Sequence, residues 1–217
     1  MKNKIYDCVT FFEENFQVNL RFNILNEYVD NFVVCESIYD HKGNYKGINF
    51  DINQHSKFKD KITHLILEKE FPDTSSPWKT QAFQREHIFE ALKDAHDYDL
   101  IMFSDPDEIP RPEILQSIKL KKKYGIFLQN MYCYKLNIFN QEESPWEGTR
   151  ICLKKNLFSF DYMRQKVLKK NLKYKFWRID KEKNIETINN GGWHFNYLLK
   201  PEKISKKLKT FAHIEFG

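Results

Sequence analysis

Three carboxylates stand on four residues in Asp105-Pro106-Asp107-Glu108, directly after the uncharged run Leu100-Ile101-Met102-Phe103-Ser104. A brief apolar run bounded by breakers reads as a buried strand. Carboxylates just past such a strand sit where open α/β sheets bind ligands, in the crevice outside the strand's carboxyl end. In extended backbone, residues two apart share a side, so Asp105 and Asp107 are expected to converge on one point. Pro106 fixes its own φ and biases Asp105 away from helix, which stiffens the pair. Two hard oxygen ligands on one side suit Mg²⁺ or Mn²⁺, with positions left for water and substrate phosphates. The same letters are also ordinary loop composition, so Asp-x-Asp alone decides nothing. The rest of the chain must position it.

The elements before the acidic loop read as repeated βα units. Residues 4–12 are β-branched and aromatic, a first strand. Val18, Phe22, Leu25 and Val29 then recur at helical spacing in a helix expected to run to about residue 28. Phe32-Val33-Val34-Cys35 is a second buried strand ending at Glu36-Ser37, and this βαβ opening implies a parallel sheet with right-handed crossovers. Residues 37–60 are polar, with turn signals at Gly43 and Gly47, and read as a loop over the strand ends. A third strand is expected at 62–67, then a breaker-rich loop, then a helix over 80–93 that feeds the fourth strand, Leu100–Ser104. The acidic loop follows that strand.

Beyond Pro112 the pattern predicts a short helix over 113–121, strand formers in 126–136 with Tyr132, Tyr134 and Leu136 on one side, a turn at 144–149 and a strand at 151–153. The interval 154–190 is basic, with an edge or hairpin strand expected at 176–179. Gly191-Gly192-Trp193-His194-Phe195 forms a second focal point, and a Lys-rich helix is expected over 201–211.

Composition limits the function classes. The 217 residues are 41% hydrophobic and 16% aromatic, with only 7 glycines, as expected of a packed α/β domain. The net charge of +5 conceals an asymmetry: residues 1–110 carry 20 acidic against 12 basic side chains, and residues 111–217 carry 23 basic against 10 acidic. A basic half can meet nucleic acid, an anionic membrane surface or a polyanionic substrate. No nucleic-acid motif frames the lysines, which argues against the first and leaves peripheral membrane contact open. Four scattered cysteines without a C-x-x-C give no zinc or thioredoxin-type motif and read as free thiols in a reducing compartment. No secretory leader or membrane span is legible, so a soluble cytoplasmic protein is expected.

Taken in order, Tyr6-Asp7-Cys8-Val9-Thr10-Phe11-Phe12, Phe32-Val33-Val34-Cys35-Glu36-Ser37, Phe83-Gln84-Arg85, Asp105-Pro106-Asp107-Glu108-Ile109-Pro110-Arg111-Pro112 and Gly191-Gly192-Trp193-His194-Phe195, with Lys207-Leu208 after them, resemble family 17 of the glycosyltransferases. That family includes the β-1,4-N-acetylglucosaminyltransferases that bisect N-glycans. The resemblance implies a GT-A-like nucleotide-sugar-binding fold, with a mostly parallel central sheet flanked by helices. It also implies a UDP-N-acetylglucosamine donor, a glycan acceptor, Mn²⁺ (or Mg²⁺) and inversion at the anomeric carbon. One domain is expected over 1–217, with a nucleotide-sugar-binding half at 1–110 and an acceptor-side half at 111–217. Members usually continue beyond the His-x-Glu-Phe segment, so the acceptor side is expected to be short at its C-terminus.

On this reading Asp107 holds the metal, and Asp105 binds the metal or the ribose. His194 is a candidate third ligand, since imidazole suits Mn²⁺; its bland alternative is a hydrogen-bonded core histidine. Glu36 is a candidate acceptor for uracil or ribose, against a solvated strand-end acid. Arg85 is a candidate fork onto the diphosphate or brace for Asp105, and Arg164 a weaker phosphate candidate weighted towards the surface. Trp193 and Trp146 could stack on sugar, although large aromatics are more often core. Glu108 is expected to support the loop. An inverting transfer also needs a general base, for which Glu147 and Glu215 are named without a means of choosing. Two other readings compete: an inactive nucleotide- or sugar-binding relic of the fold, and an Asp-x-Asp phosphohydrolase, for which the loop lies too far along the chain.

Overall fold

The computed structural model describes residues 3–198. Parallel strands β1 (Ile5–Phe11), β2 (Asn31–Ser37), β3 (Ile62–Leu67) and β4 (Leu100–Ser104) are ordered β3-β2-β1-β4. Antiparallel β7 (Trp146–Leu153) joins β4 to β6 (Tyr124–Cys133). The first half of β6 pairs in parallel with β8 (Ile185–Ile188), and its second half with β9 (Gly192–Asn196). Beyond β9 lies antiparallel β5 (Glu108–Pro110). Parallel pairings outnumber antiparallel ones, as expected of this α/β sheet. A bulge between Ile126 and Leu128 marks where β6 leaves one partner for the other.

Strand alternation divides the core into two layers. Val9, Phe11, Val34 and Met102 face helix α1 (Asn15–Leu25), where Val18, Phe22 and Leu25 are fully buried at the spacing read from sequence. Cys8, Val33, Ile101 and Phe103 face the other way, against Ile88, Leu92 and Phe160 from α2 (Pro77–His87), the 3₁₀ turn that continues it, and α4 (Phe160–Gln165). Each such fully buried apolar side chain contributes about 1.5–3 kcal/mol of transfer free energy. Ser76 caps α2 by accepting the Trp78 N–H, with Pro77 at the first helical position. Cys8, Cys35 and Cys152 are free and buried; burial pushes the Cys35 and Cys152 thiols up to about 12, which leaves them unreactive.

Several expectations need correction. The segment read as loop over 37–60 holds two short 3₁₀ turns within Ile52–Lys61, separated by a kink at His55, because Phe58 and His55 find the α1 face to pack against. The helix expected over 113–121 is a single turn, α3 (Pro112–Leu115), since the lysines that follow offer nothing to bury. The turn expected at 144–149 ends early, and β7 already begins at Trp146. Strand β6 stops at Cys133: Tyr134 turns into the left-handed region, at φ 67°, so Tyr134 and Leu136 do not continue the alternation. Residues 176–179 form an exposed turn rather than a strand. The helix expected over 201–211 lies outside the described residues. No helix among the described residues is long and apolar enough to cross a membrane.

Candidate active site

A cleft opens where β1 and β4 end and β7 begins, the edge at which parallel strands leave room for a ligand. One wall is Thr10, Phe11, Phe12 and Glu14 at the end of β1. A second is His41 with Gln81 and Gln84 of α2. The floor is Asp105-Pro106-Asp107, and Trp146, His194, Asn196 and Tyr197 close the far side.

Asp105 and Asp107 both line the cleft but take different partners. The Glu108 N–H donates to the Asp105 carbonyl at 3.0 Å, closing a four-residue turn with Pro106 in its second position, where proline is favoured. The turn replaces the extended alternation expected from sequence and sends the two carboxylates to different partners. Asp105 Oδ2 accepts from Arg164 Nη2 at 2.7 Å. Asp107 Oδ1 lies 3.6 Å from His194 Nε2.

Glu108 holds the turn from below. Its side chain is buried and accepts from Trp146 Nε1 at 2.7 Å and from Arg164 at 2.7 and 2.9 Å. Its carbonyl accepts from Arg21 Nη1 at 2.7 Å, Thr149 Oγ1 at 3.1 Å and Ser104 Oγ at 3.2 Å. Arg164 is therefore not a surface residue: α4 carries it into the interior, where it bridges both acids. Burial works against its charge, but Asp105 and Glu108 outweigh that and raise its pKa.

His194 reaches the site through strand pairing. In the β5–β9 ladder Glu108 stands opposite His194, and the Phe195 N–H donates to the Asp107 carbonyl at 2.8 Å. The close approach depends on Gly192, at φ +129°, where a Cβ would run into the Ile109 carbonyl. His194 is buried, and its Nδ1 has no hydrogen-bond partner among the described residues. Burial alone would lower its pKa; the charge of Asp107, its contact with the ring, and the charges of Glu108 and Asp105 prevail and raise it. The carboxylates that favour a proton here also favour a metal ion. A carboxylate and an imidazole fit Mn²⁺, with the other positions left to phosphate and water. Among the described residues no group of three or more His, Cys, Asp or Glu is gathered as a metal cage, so Asp107 and His194 are the pair that fits.

The remaining expected site residues fall elsewhere. Glu36 is fully buried and engaged internally, accepting from Lys46 Nζ (2.7 Å) and from the Asn49 (2.7 Å) and Phe50 (3.0 Å) N–H groups. Burial would raise its pKa, but His64, Lys46 and those two N–H groups lower it overall. It ties down the loop after β2 and offers no surface to a nucleotide. Arg85 is buried, donating to Asp161 at 2.8 Å and Gln81 at 2.6 Å, so its hydrogen bonds run to α4 and within α2, while the charge of Asp105 also acts on it. Trp193 points away from His194, as neighbours on a strand must, and lies under Arg111, 4.7 Å away. Trp146 faces the cleft, its ring centroid 5.0 Å from that of His194. Glu147, next along β7, turns from the cleft to accept the Lys169 N–H at 2.9 Å, which removes it as a base. Glu215 lies outside the described residues.

The sequence reading overlooked Arg21. It is fully buried, clamps Asp7 with two 2.6 Å hydrogen bonds and donates to Ser104 Oγ at 2.8 Å. One signal pointed to it: Asp7 inside an apolar strand needs a cation, and Arg21 sits on the buried face of the next helix. Glu14, which accepts the Phe12 and Glu13 N–H groups at 2.9 and 3.1 Å, lines the cleft and was overlooked too, as were His41, Gln81 and Asn196.

Comparison with known proteins places this geometry in context. Among curated proteins no sequence matches. Solved structures with a similar course include glucosyl-3-phosphoglycerate synthase from Mycobacterium tuberculosis in complex with Mn²⁺, UDP and glucosyl-3-phosphoglycerate (11% identity, 95% of this chain and 76% of that chain, TM-score 0.46). HddC from Yersinia pseudotuberculosis (13%, 100% and 100%, 0.45) and the inositol-1-phosphate CTP transferase from T. maritima (11%, 97% and 98%, 0.45) are others. The pattern of glycosyltransferase family 17 matches residues 1–216, essentially the whole sequence. With its mixed, mostly parallel GT-A-like sheet, the chain belongs to glycosyltransferase family 17 and is a glycosyltransferase.

Proposed function

We propose that the chain transfers N-acetylglucosamine from UDP-N-acetylglucosamine to a glycan acceptor, with inversion and with dependence on Mn²⁺ or Mg²⁺. The observation that carries this reading is the meeting of Asp107 and His194, distant in sequence, 3.6 Å apart in the cleft beyond β4. These two side chains would hold the ion. A divalent cation, when bound, neutralises charge developing on a departing nucleoside diphosphate. The chain's own groups do the rest. Arg164 and Glu108 hold the Asp105–Asp107 turn rigid, so Asp107 needs no reorganisation when the donor arrives. The wall of Thr10, Phe12, His41 and Gln84 receives the nucleoside, and Trp146 offers a ring for the sugar. Buried free cysteines agree with a cytoplasmic setting, where nucleotide sugars are made available to such a cleft.

The test is turnover of a panel of nucleotide sugars with Mn²⁺, before and after chelation, by wild type and Asp107→Ala. The reading expects a loss of about 10²-fold or more in the variant and after chelation. Equal turnover in the two proteins removes the metal role of Asp107. Mn²⁺-dependent UDP binding with no UDP release on any acceptor would instead support the inactive relic.

A further inference from the structure

The segment between α4 and β8 carries the two most exposed large apolar side chains among the described residues and plays no part in the cleft. Phe176 is 86% exposed, Trp177 57% and Ile179 94%. Neighbouring bulky side chains so placed are unusual on a monomer unless something covers them. They are presented by a built loop. Lys183 Nζ donates to the carbonyls of Lys175 (2.6 Å), Arg178 (3.0 Å) and Phe176 (3.2 Å), drawing the backbone into a tight turn. Arg178 and Asp180 close a bidentate pair at 2.7 Å, and Lys175 lies 4.9 Å from the Trp177 ring.

The frame around the apolar tip is cationic. Residues 169–183 contain seven Lys or Arg against two acids, and Asp180 is paired with Arg178 and Lys181. A second basic run lies alongside: the Asn184 side chain accepts the Lys123 N–H, and Glu186 accepts those of Lys121 and Lys122. The 175–183 turn and this run sit where β6 begins, the end of the sheet opposite the cleft, because β8 starts in register with Tyr124; Lys169, where the basic segment starts, lies by Glu147 at the other end. A bulky apolar tip with an indole ring, set in lysines, matches the chemistry of a bilayer interface: apolar groups enter the acyl boundary while lysines reach anionic headgroups. Protein interfaces are depleted in lysine, and single-stranded nucleic acid is gripped by stacking rings, a role that Ile179 cannot fill.

We propose that the 175–183 turn, with the neighbouring 119–123 lysines, docks the enzyme on an anionic phospholipid bilayer, with Phe176, Trp177 and Ile179 inserted and the cleft facing away from the lipid. The test is co-sedimentation of the full chain with vesicles of phosphatidylcholine alone or mixed with phosphatidylglycerol, at low and raised salt. Wild type is expected to partition onto the mixed vesicles, weakly onto phosphatidylcholine, and less as salt rises. Phe176→Ser/Trp177→Ser/Ile179→Ser is expected to lower partitioning about tenfold or more with an unchanged unfolding midpoint. Ile179→Ser alone, at a side chain with almost no protein contact, is expected to lower it severalfold and serves if the triple variant misfolds. Unchanged partitioning of these variants overturns the proposal, as does equal binding to neutral vesicles. So would a dimer in solution that the triple variant abolishes, or tighter binding to a single-stranded oligonucleotide than to the mixed vesicles.

Discussion

Arg164→Gln offers the sharpest test of how the acidic turn is held. The substitution removes donors to Glu108 at 2.7 and 2.9 Å and to Asp105 at 2.7 Å. The Glu108 side chain is 1% exposed and keeps only Trp146 Nε1 at 2.7 Å and a long 3.4 Å contact with the Asp105 N–H. Stripping one partner from a buried ion pair costs about 3–5 kcal/mol. The Asp105 carboxylate is 36% exposed, so water takes over there and its share is that of a surface pair, about 0–1 kcal/mol. Glutamine can return one neutral hydrogen bond worth about 1 kcal/mol. The expected net loss is about 3 kcal/mol. With a urea m-value of about 2–3 kcal/mol/M, the unfolding midpoint falls by about 1–1.5 M.

The refuting measurement is a double-mutant cycle in urea. Glu108→Gln alone leaves Arg164 with the half-exposed Asp105 and is expected to cost about 2 kcal/mol. In the double variant two amides face each other, neither charge is stranded, and the cost is expected to be close to that of one single variant. That corresponds to a coupling energy of about 2 kcal/mol. Effects that add to within about 0.5 kcal/mol would mean that Arg164 and Glu108 act independently, and the ion pair would then not be what holds the turn.

Two further outcomes follow from the same structure. Gly192→Ala places a Cβ against the Ile109 carbonyl at φ +129°, so β9 must part from β5; a destabilisation of about 2–3 kcal/mol is expected in chemical denaturation, together with loss of transferase turnover as His194 is displaced. Glu36→Gln is expected to cost about 2 kcal/mol at neutral pH, because charge-assisted bonds to Lys46, Asn49 and Phe50 become neutral ones. The folded-state pKa of Glu36 is lowered, so its contribution is complete above the unfolded carboxylate value of about 4.3 and is lost as pH falls through the folded value. Denaturation midpoints of wild type and variant should therefore converge in acid, and a gap that persists there counts against the assignment.

What could be read from sequence was whatever periodicity and punctuation encode. The stripe of Val18, Phe22 and Leu25 could have only one face, and it is the face buried against β1 and β2. The run Leu100–Ser104 could end only where Pro106 turns the chain, and the cleft lies there. Register was not legible. Nothing local to Gly191-Gly192-Trp193-His194-Phe195 says that it pairs with β5, and that pairing alone decides that His194 enters the cleft while Trp193 leaves it. Conformation misled as well: an extended Asp-x-Asp and a tight turn share the same letters, and in the turn Asp105 is bonded to Arg164 while Asp107 lies against His194.

Arginines were the hardest to place because a helix surface is their ordinary home, yet Arg21 and Arg85 are buried on helices and the Arg164 side chain, on α4, is only 11% exposed. Their partners lie on distant strands and helices, so only the assembled sheet supplies the acids that justify burying them. The division of charge that results also bears on the proposed chemistry. Arg21 answers Asp7, and Arg164 answers Glu108 and reaches Asp105, while Asp107 faces an imidazole that its neighbours bias towards a positive charge. Of the acids around the turn, Asp107 is the one that lies against an imidazole, while Asp105 and Glu108 are bonded to a guanidinium. A divalent ion held by Asp107 and His194 would leave the Arg164 pairs intact, whereas one held at Asp105 would have to part Arg164 from Asp105 and strip a partner from Glu108. On the proposed reading, that asymmetry makes Asp107, rather than Asp105, the position whose substitution tests metal dependence.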